Sequence, residues 1–203
     1  MSAAADPPAA GGRAAVRAAL DEAAAALSNL LGDEAAQDAI VQAAAWIAGA
    51  LRAGGKVMSC GNGGSMCDAM HFAEELSGRF RNDRPGYAAL AIADAGHLSC
   101  VGNDYGFEQV FARYVQAHGR PGDVLLAIST SGASPNILAA VRAAQAAQLR
   151  VVGLTGRAGS ELARLADVAI CTPGGRYADR VQELHIKVIH ILIELIEQQL
   201  ASA

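Results

Sequence analysis

Residues 56–65 read Lys56-Val57-Met58-Ser59-Cys60-Gly61-Asn62-Gly63-Gly64-Ser65, a short apolar run that breaks into a glycine-rich turn. The run has the length of a strand, and the glycines end it. A helical pattern follows to about Phe80. The arrangement returns downstream. Asp123-Val124-Leu125-Leu126-Ala127-Ile128 enters Ser129-Thr130-Ser131-Gly132-Ala133-Ser134, and a helix runs from Pro135 to Gln148. Strand, turn and helix in alternation mean βαβ units and a parallel sheet.

Three more strands fit the pattern, at Ala88–Ala93, Arg150–Leu154 and Val168–Cys171, with helices at Phe107–His118 and from about Ala178 to Leu200. Continuous apolar strands such as Val124–Ile128 suit a sheet covered on both faces. The expected architecture is α/β, a three-layer sandwich with a five-stranded parallel sheet of the flavodoxin-like or Rossmann-like kind. Two helical stretches precede it. The first, Ala14–Leu31, repeats apolar residues at Val16, Leu20, Ala24, Leu27 and Leu31. The second, about Glu34–Ala53, carries Ile40, Ile47 and Leu51 on one face and stops at Gly54-Gly55. Residues 1–13 read as a disordered tail without the basic and apolar regions of a signal peptide. Residues 14–203 read as one domain, with the helices of 14–53 packing on the α/β core and serving an interface.

Composition narrows the function classes. With 203 residues, 52% apolar, 18% charged and net charge −4, the chain has too much apolar residue to be disordered. It has no basic excess for a nucleic-acid backbone. The longest apolar run near the C-terminus, Val188–Ile196, is broken by His190 and Glu194 and is too short for a membrane span. Cys60, Cys67, Cys100 and Cys171 form no CxxC pair, and read as reduced, buried thiols of a cytoplasmic protein.

In such sheets, ligands bind beyond the carboxyl ends of the strands. Gly61–Ser65 and Ser129–Ser134 both stand there, each ahead of a helix N-terminus with free N–H groups. Hydroxyls, glycines and amides make a neutral cage for a phosphate. Either loop alone is equally a plain capped turn. The pair is harder to explain so. Neither is a P-loop or a GxGxxG dinucleotide motif. His71 and Glu75 are four apart on the helix after the first loop, hence on one face, where they can hold a divalent metal or supply a proton-transfer base. A surface His–Glu pair fits the spacing as well. Arg79 stands one turn further on. Glu183 and Lys187 read as a solvated i, i+4 pair. A lone His190 in an apolar helix is more often a core residue than a catalyst. Gln182 and His190 are eight apart, about 12 Å along the helix. One centre takes both only if both side chains extend towards it, or if a neighbouring subunit supplies one. Asp104 is either a capping residue in a turn or a sugar ligand.

These segments together closely resemble the bacterial phosphoheptose isomerase family of the sugar-isomerase (SIS) domain superfamily. The matching stretches are 60–65, 68–80, 84–94, 101–107, 122–137 and 177–190, from about residue 14 to the C-terminus. The loops point to the superfamily, and the HxxxE helix with the final QExH…H helix points to the isomerase. The resemblance implies conversion of sedoheptulose 7-phosphate to glycero-manno-heptose 7-phosphate through an enediol, in nucleotide-activated heptose biosynthesis. It implies Glu75 as base and His190 as partner acid/base. It implies one zinc ion per subunit on His71, Glu75, Gln182 and His190. Ser65, Ser129, Thr130, Ser131 and Ser134 match phosphate-contacting positions. Asn62, Gly63, Arg79, Asp104, Asp179 and Gln182 match substrate-binding or site-lining positions. A homotetramer with sites between subunits is implied too. Met66 departs from relatives that carry His there. A competing expectation is a non-catalytic SIS-domain protein that binds a sugar phosphate or a replication initiator.

Overall fold

β1 (Val57–Cys60) is buried at every residue because strands pair with it on both sides. Its neighbours are β2 (Ala89–Ala91) and β3 (Val124–Ser129), both parallel. β4 (Arg150–Thr155) and β5 (Val168–Cys171) extend the sheet, also in parallel. The order is β2-β1-β3-β4-β5. This computed structural model describes residues 10–201. The chain leaves β1 towards one edge and returns at β3 to build the other. The gap between those two strand ends is therefore the topological switch point, where ligands bind in such sheets.

Helices cover both faces. On one lie α1 (Ala10–Leu31), α2 (Glu34–Arg52), α3 (Gly64–Ser77) and α8 (Ala178–Ala201), packed on Val57, Leu126, Ile128, Val152 and Leu154. On the other lie α4 (Ala95–Tyr105), α5 (Val110–His118), α6 (Pro135–Ala146) and α7 (Glu161–Leu165), packed on Met58, Cys60, Leu125, Ala127 and Val151. Successive strand residues thus feed opposite cores, as the pleat requires. Asp123, almost wholly buried ahead of β3, ties the entry edge. Its carboxylate accepts from Lys56 Nζ at 2.6 Å and from the backbone N–H groups of Lys56 and Arg120 at 2.9 Å.

Five local expectations need correction. α1 begins at Ala10, so residues 10–13, expected in the tail, form its first turn, and the rest of that tail lies outside the described residues. Helix propensity in this alanine-rich stretch outweighs Gly11 and Gly12. α3 stops at Ser77 with Gly78 as its cap, short of Phe80. α4 was not expected, because two glycines and several polar residues obscure its apolar period. Asp94 starts it by accepting from His97 N at 2.7 Å. The short α7, capped by Ser160, was also not expected. Finally, all four cysteines are free, but only Cys60 is fully buried, its thiol pushed up to about 12 by burial. Cys67 and Cys100 are exposed, since neither sits on the core face of its helix.

Candidate functional site

The loop after β1 reaches α3 through Gly63, whose φ of 55° suits glycine. A Cβ on Gly64 would stand 2.7 Å from Gln182 Nε2, so glycine lets α8 close over this turn. Ser65 is buried in the first turn of α3. Across the switch point, Ser129 Oγ lies 3.1 Å from Ser134 Oγ and accepts from Gly132 N at 3.1 Å. Ser131 Oγ accepts from Ala133 N at 3.3 Å. The loops are clamped together by two side-chain amides: Asn62 Nδ2 donates to Asn136 Oδ1 at 2.9 Å, and Asn136 Nδ2 donates back to Asn62 Oδ1 at 2.8 Å. Asn136 was missed in the sequence. Its signal was a polar residue in the buried first turn of α6.

Between the loops is a pocket of about 60 Å³, lined by Asn62, Ser65, Ser129, Thr130, Ser134 and Gln182. One water needs ~10–15 Å³ of such space, so the pocket takes a larger polar group. It contains hydroxyls, amides and the N-termini of α3 and α6, which favour an anion. A second cavity of about 230 Å³ shares Thr130 and adds Ser131, Arg157, Arg176 and Tyr177. These two arginines had no reading in the sequence. They supply the positive charge that the hydroxyl loops lack.

The second cluster joins α3 to α8. His71 Nε2 lies 2.9 Å from His190 Nε2 and 3.7 Å from Glu75 Oε1. His71 Nδ1 is 3.0 Å from Glu74 Oε1. With Nδ1–H donating to Glu74, the lone pair of His71 is on Nε2, and His190 Nε2–H donates to it. The His190 ring packs on Phe80, centroids 5.6 Å apart. Burial holds the His190 pKa below its ordinary value, helped by the neighbouring His71 and opposed by Glu75. Asp68, one turn before His71, has its pKa raised to about 6 by burial, against the pull of His71. Its Oδ2 is buried without a hydrogen-bond partner. Donor atoms of His71, Glu74 and Glu75 all fall within 4.8 Å of one another, a group that can hold a metal ion.

Of the four expected zinc ligands, three therefore meet: His71, Glu75 and His190. Gln182 sits with the hydroxyl loops instead, against Gly64, because eight residues of α8 separate it from His190. Arg79 is exposed and lies beyond the end of α3, so it does not continue the His71–Glu75 face. Asp104 is exposed near the end of α4 rather than in a turn, and Asn103 Nδ2 donates to it at 2.8 Å. Asp179 is exposed in the first turn of α8, accepting from Arg180 N at 2.8 Å. Glu183 pairs with Arg180, not with Lys187. The core histidine of α8 is His185, fully buried, while His190 is only partly so.

A family model described as the SIS domain matches residues 10–156. A phosphoheptose isomerase of Yersinia pestis (strain Pestoides F) is 58% identical over 188 residues, 93% of this chain and 97% of the relative. The solved phosphoheptose isomerase of Neisseria gonorrhoeae superposes with TM-score 0.84 at 40% identity, covering 92% of this chain and 98% of that one. The Francisella tularensis phosphoheptose isomerase gives TM-score 0.86 at 36% identity, over 92% and 98% of the two chains. Among the described residues, no helix is long and apolar enough to cross a membrane. The sheet order, the paired loops and the likeness over nearly the whole chain agree: this chain belongs to the SIS domain family and, within it, to the phosphoheptose isomerases.

Proposed function

We propose that the chain is an aldose–ketose isomerase that converts sedoheptulose 7-phosphate to glycero-manno-heptose 7-phosphate. The observation that carries the reading is the meeting of His71, Glu75 and His190 on facing turns of α3 and α8. A protein that only binds a sugar phosphate needs no such proton-transfer group.

The hydroxyl loops hold the phosphate and so anchor the substrate in the site. Glu75 takes a proton from C1 of the ketose. The C1–H pair becomes the C1=C2 bond, and the carbonyl oxygen on C2 takes a proton from His190, giving the enediol. The reverse sequence on the other carbon completes the change: O1–H returns a proton to His190, the O1 pair forms the C1=O1 bond, and the C1=C2 pair takes the proton held by the Glu75 acid at C2. A neutral His190, favoured by its lowered pKa, both donates and accepts.

The donor set fits zinc. Two imidazole nitrogens and a carboxylate share one spot, and Glu74 fixes the His71 ring so that Nε2 is the ligating atom. Zinc held there would supply Lewis-acid stabilisation of the developing enediolate oxygen. Zinc held by Glu75 would lower the basicity of its carboxylate, so we assign its ligand and base roles to different states of the site.

Ten residues of α3 separate Ser65 from Glu75, about 15 Å along the helix. This supports sites shared between subunits, with the loops and Gln182 of one chain facing His71, Glu75 and His190 of another. The exposed Val16, Leu20, Leu27 and Leu31 of α1 suit a tetramer interface. An apolar groove lined by Leu27, Leu31, Ile40, Val41, Ile191 and Leu195 lies beside them. We place the enzyme in the cytoplasm, in heptose biosynthesis, on the strength of its free thiols and its relatives.

The test is turnover of sedoheptulose 7-phosphate in D2O. Aldose bearing solvent deuterium at C2 supports the enediol route. Aldose without deuterium after many turnovers overturns it.

A further inference from the structure

We infer that residues 78–84 form a positioning strap that sets His190 against His71 and Glu75, and that Arg84 is its anchor. The inference rests on the isomerase reading of that cluster. After α3 ends at Ser77, the chain crosses to α8 and meets it at three successive turns of one face. Phe80 packs on the His190 ring at 5.6 Å. Arg81 Nη1 lies 2.8 Å from Glu194 Oε1. Arg84 Nε donates to Glu197 Oε1 at 2.7 Å. Positions 190, 194 and 197 recur at the helical period, so one strap reads one stripe of α8.

The rungs are unequal. The Arg81 and Glu194 side chains are 60% and 37% exposed, and such pairs contribute little. Arg84 and Glu197 are 11% and 18% exposed. The Arg84 guanidinium also fills the C-terminal end of α3. Its Nη2 donates to the Glu75 carbonyl at 2.8 Å, and its Nη1 to the Leu76 and Gly78 carbonyls, each at 2.8 Å. The helix end leaves the Glu75 and Leu76 carbonyls without partners inside the helix, Leu76 also accepting from Tyr87 N at 3.0 Å, and a cation is favoured there. The guanidinium face rests on the Tyr87 ring at 4.3 Å. One planar fork therefore bonds the backbone of Glu75 and, seven residues beyond His190, a carboxylate on α8. It fixes the spacing of the two helices whose side chains form the cluster. A lysine, with a single charged point, cannot span both.

The test is Arg84→Gln, with Glu197→Gln as the milder variant that keeps an acceptor for Arg84 Nε–H. Arg142→Gln, at an exposed pair with Glu161 elsewhere, is the control. Folding is checked by circular dichroism. In folded Arg84→Gln, kcat falls about 10- to 100-fold, the cost of misplacing a reacting group by ~1 Å. KM stays within about twofold, because the phosphate loops are untouched. Glu197→Gln falls in the same direction by less, and the control does not change. A readout independent of turnover is the nuclear Overhauser contact between the His71 and His190 ring protons in histidine-labelled protein. It is present in the parent and lost in Arg84→Gln. A folded Arg84→Gln with kcat within about twofold of the parent and the contact retained overturns the strap. If that variant does not fold, unchanged kcat and an unchanged contact in Glu197→Gln overturn it. A parent without isomerase activity defeats the functional reading but leaves the ring contact to decide the strap.

Discussion

His71 on α3 and His190 on α8 place their Nε2 atoms 2.9 Å apart, with Glu74 holding the far side of the His71 ring at 3.0 Å. Residues 119 positions apart are thus joined in one cluster, to which we assign the proposed proton transfer and metal binding. The carboxylate of Glu75 stands 3.7 Å from the shared point.

If Glu75 and His190 carry the proton transfers, replacing either removes the chemistry and not the fold. Glu75→Gln and His190→Ala should each lower kcat by about 10²–10⁴-fold. Both sites are part-exposed, so the circular dichroism spectrum should not change. Steady-state kinetics on the folded variants checks this. A variant with parental kcat removes that residue from the mechanism.

The hydroxyl loops are expected to bind phosphate equally in ground and transition states. Ser129 is nearly buried between Ser134 and the Gly132 N–H. Ser129→Ala should raise KM by about 10-fold or more with kcat nearly constant, since a hydrogen bond to a charged group contributes ~1.5–3 kcal/mol. A fall in kcat at constant KM would place Ser129 in the chemical step instead.

His185 is buried, and desolvation lowers its pKa to about 4 against the opposing contact of the Thr155 backbone. Its unfolded-state pKa is near 6.5. The unfolded chain therefore binds the extra proton between those values, and stability falls as pH drops from about 6.5 to about 4. The loss attributable to this group is ~3 kcal/mol. Urea unfolding at pH 7 and pH 4.5 should show a smaller pH dependence in His185→Phe than in the parent. An equal dependence would mean that the imidazole is not held neutral.

Asp123 joins a buried carboxylate to Lys56 Nζ and to two backbone N–H groups at the start of the central strand. Removing one member of such a pair leaves the others unsatisfied. Asp123→Ala should cost about 3–5 kcal/mol, lowering Tm by some 6–20 °C for a domain of this size. Differential scanning calorimetry checks it. A shift below ~2 °C would show that water replaces the carboxylate.

The sheet was legible because its signal is local. The apolar runs between Lys56 and Cys171 end at a glycine or hydroxyl turn, or for Ala88–Ala93 at the capping Asp94, and the observed strands fall within a residue or two of those runs. α4 was not legible, since Gly96, Gly102 and the polar residues between them leave only Val101 in the core. At the site, the i, i+4 spacing of His71 and Glu75 put them on one face correctly. The tertiary pairings had no local signal: His71 with His190 was expected only through the family resemblance, and Asn62 with Asn136 and Arg84 with Glu197, which join segments distant in the chain, were not expected at all. Arg79 shows the converse. Extending α3 to Phe80 put it on the active face, but Gly78 ends the helix first.

The most direct measurement is proton NMR of sedoheptulose 7-phosphate incubated with the metal-stripped protein, then with zinc added. The account predicts a new aldoheptose anomeric signal, with a rate that changes on adding zinc if the ion takes the proposed His71–Glu75–His190 site. Unchanged ketose in both tubes, with the protein folded, would contradict it.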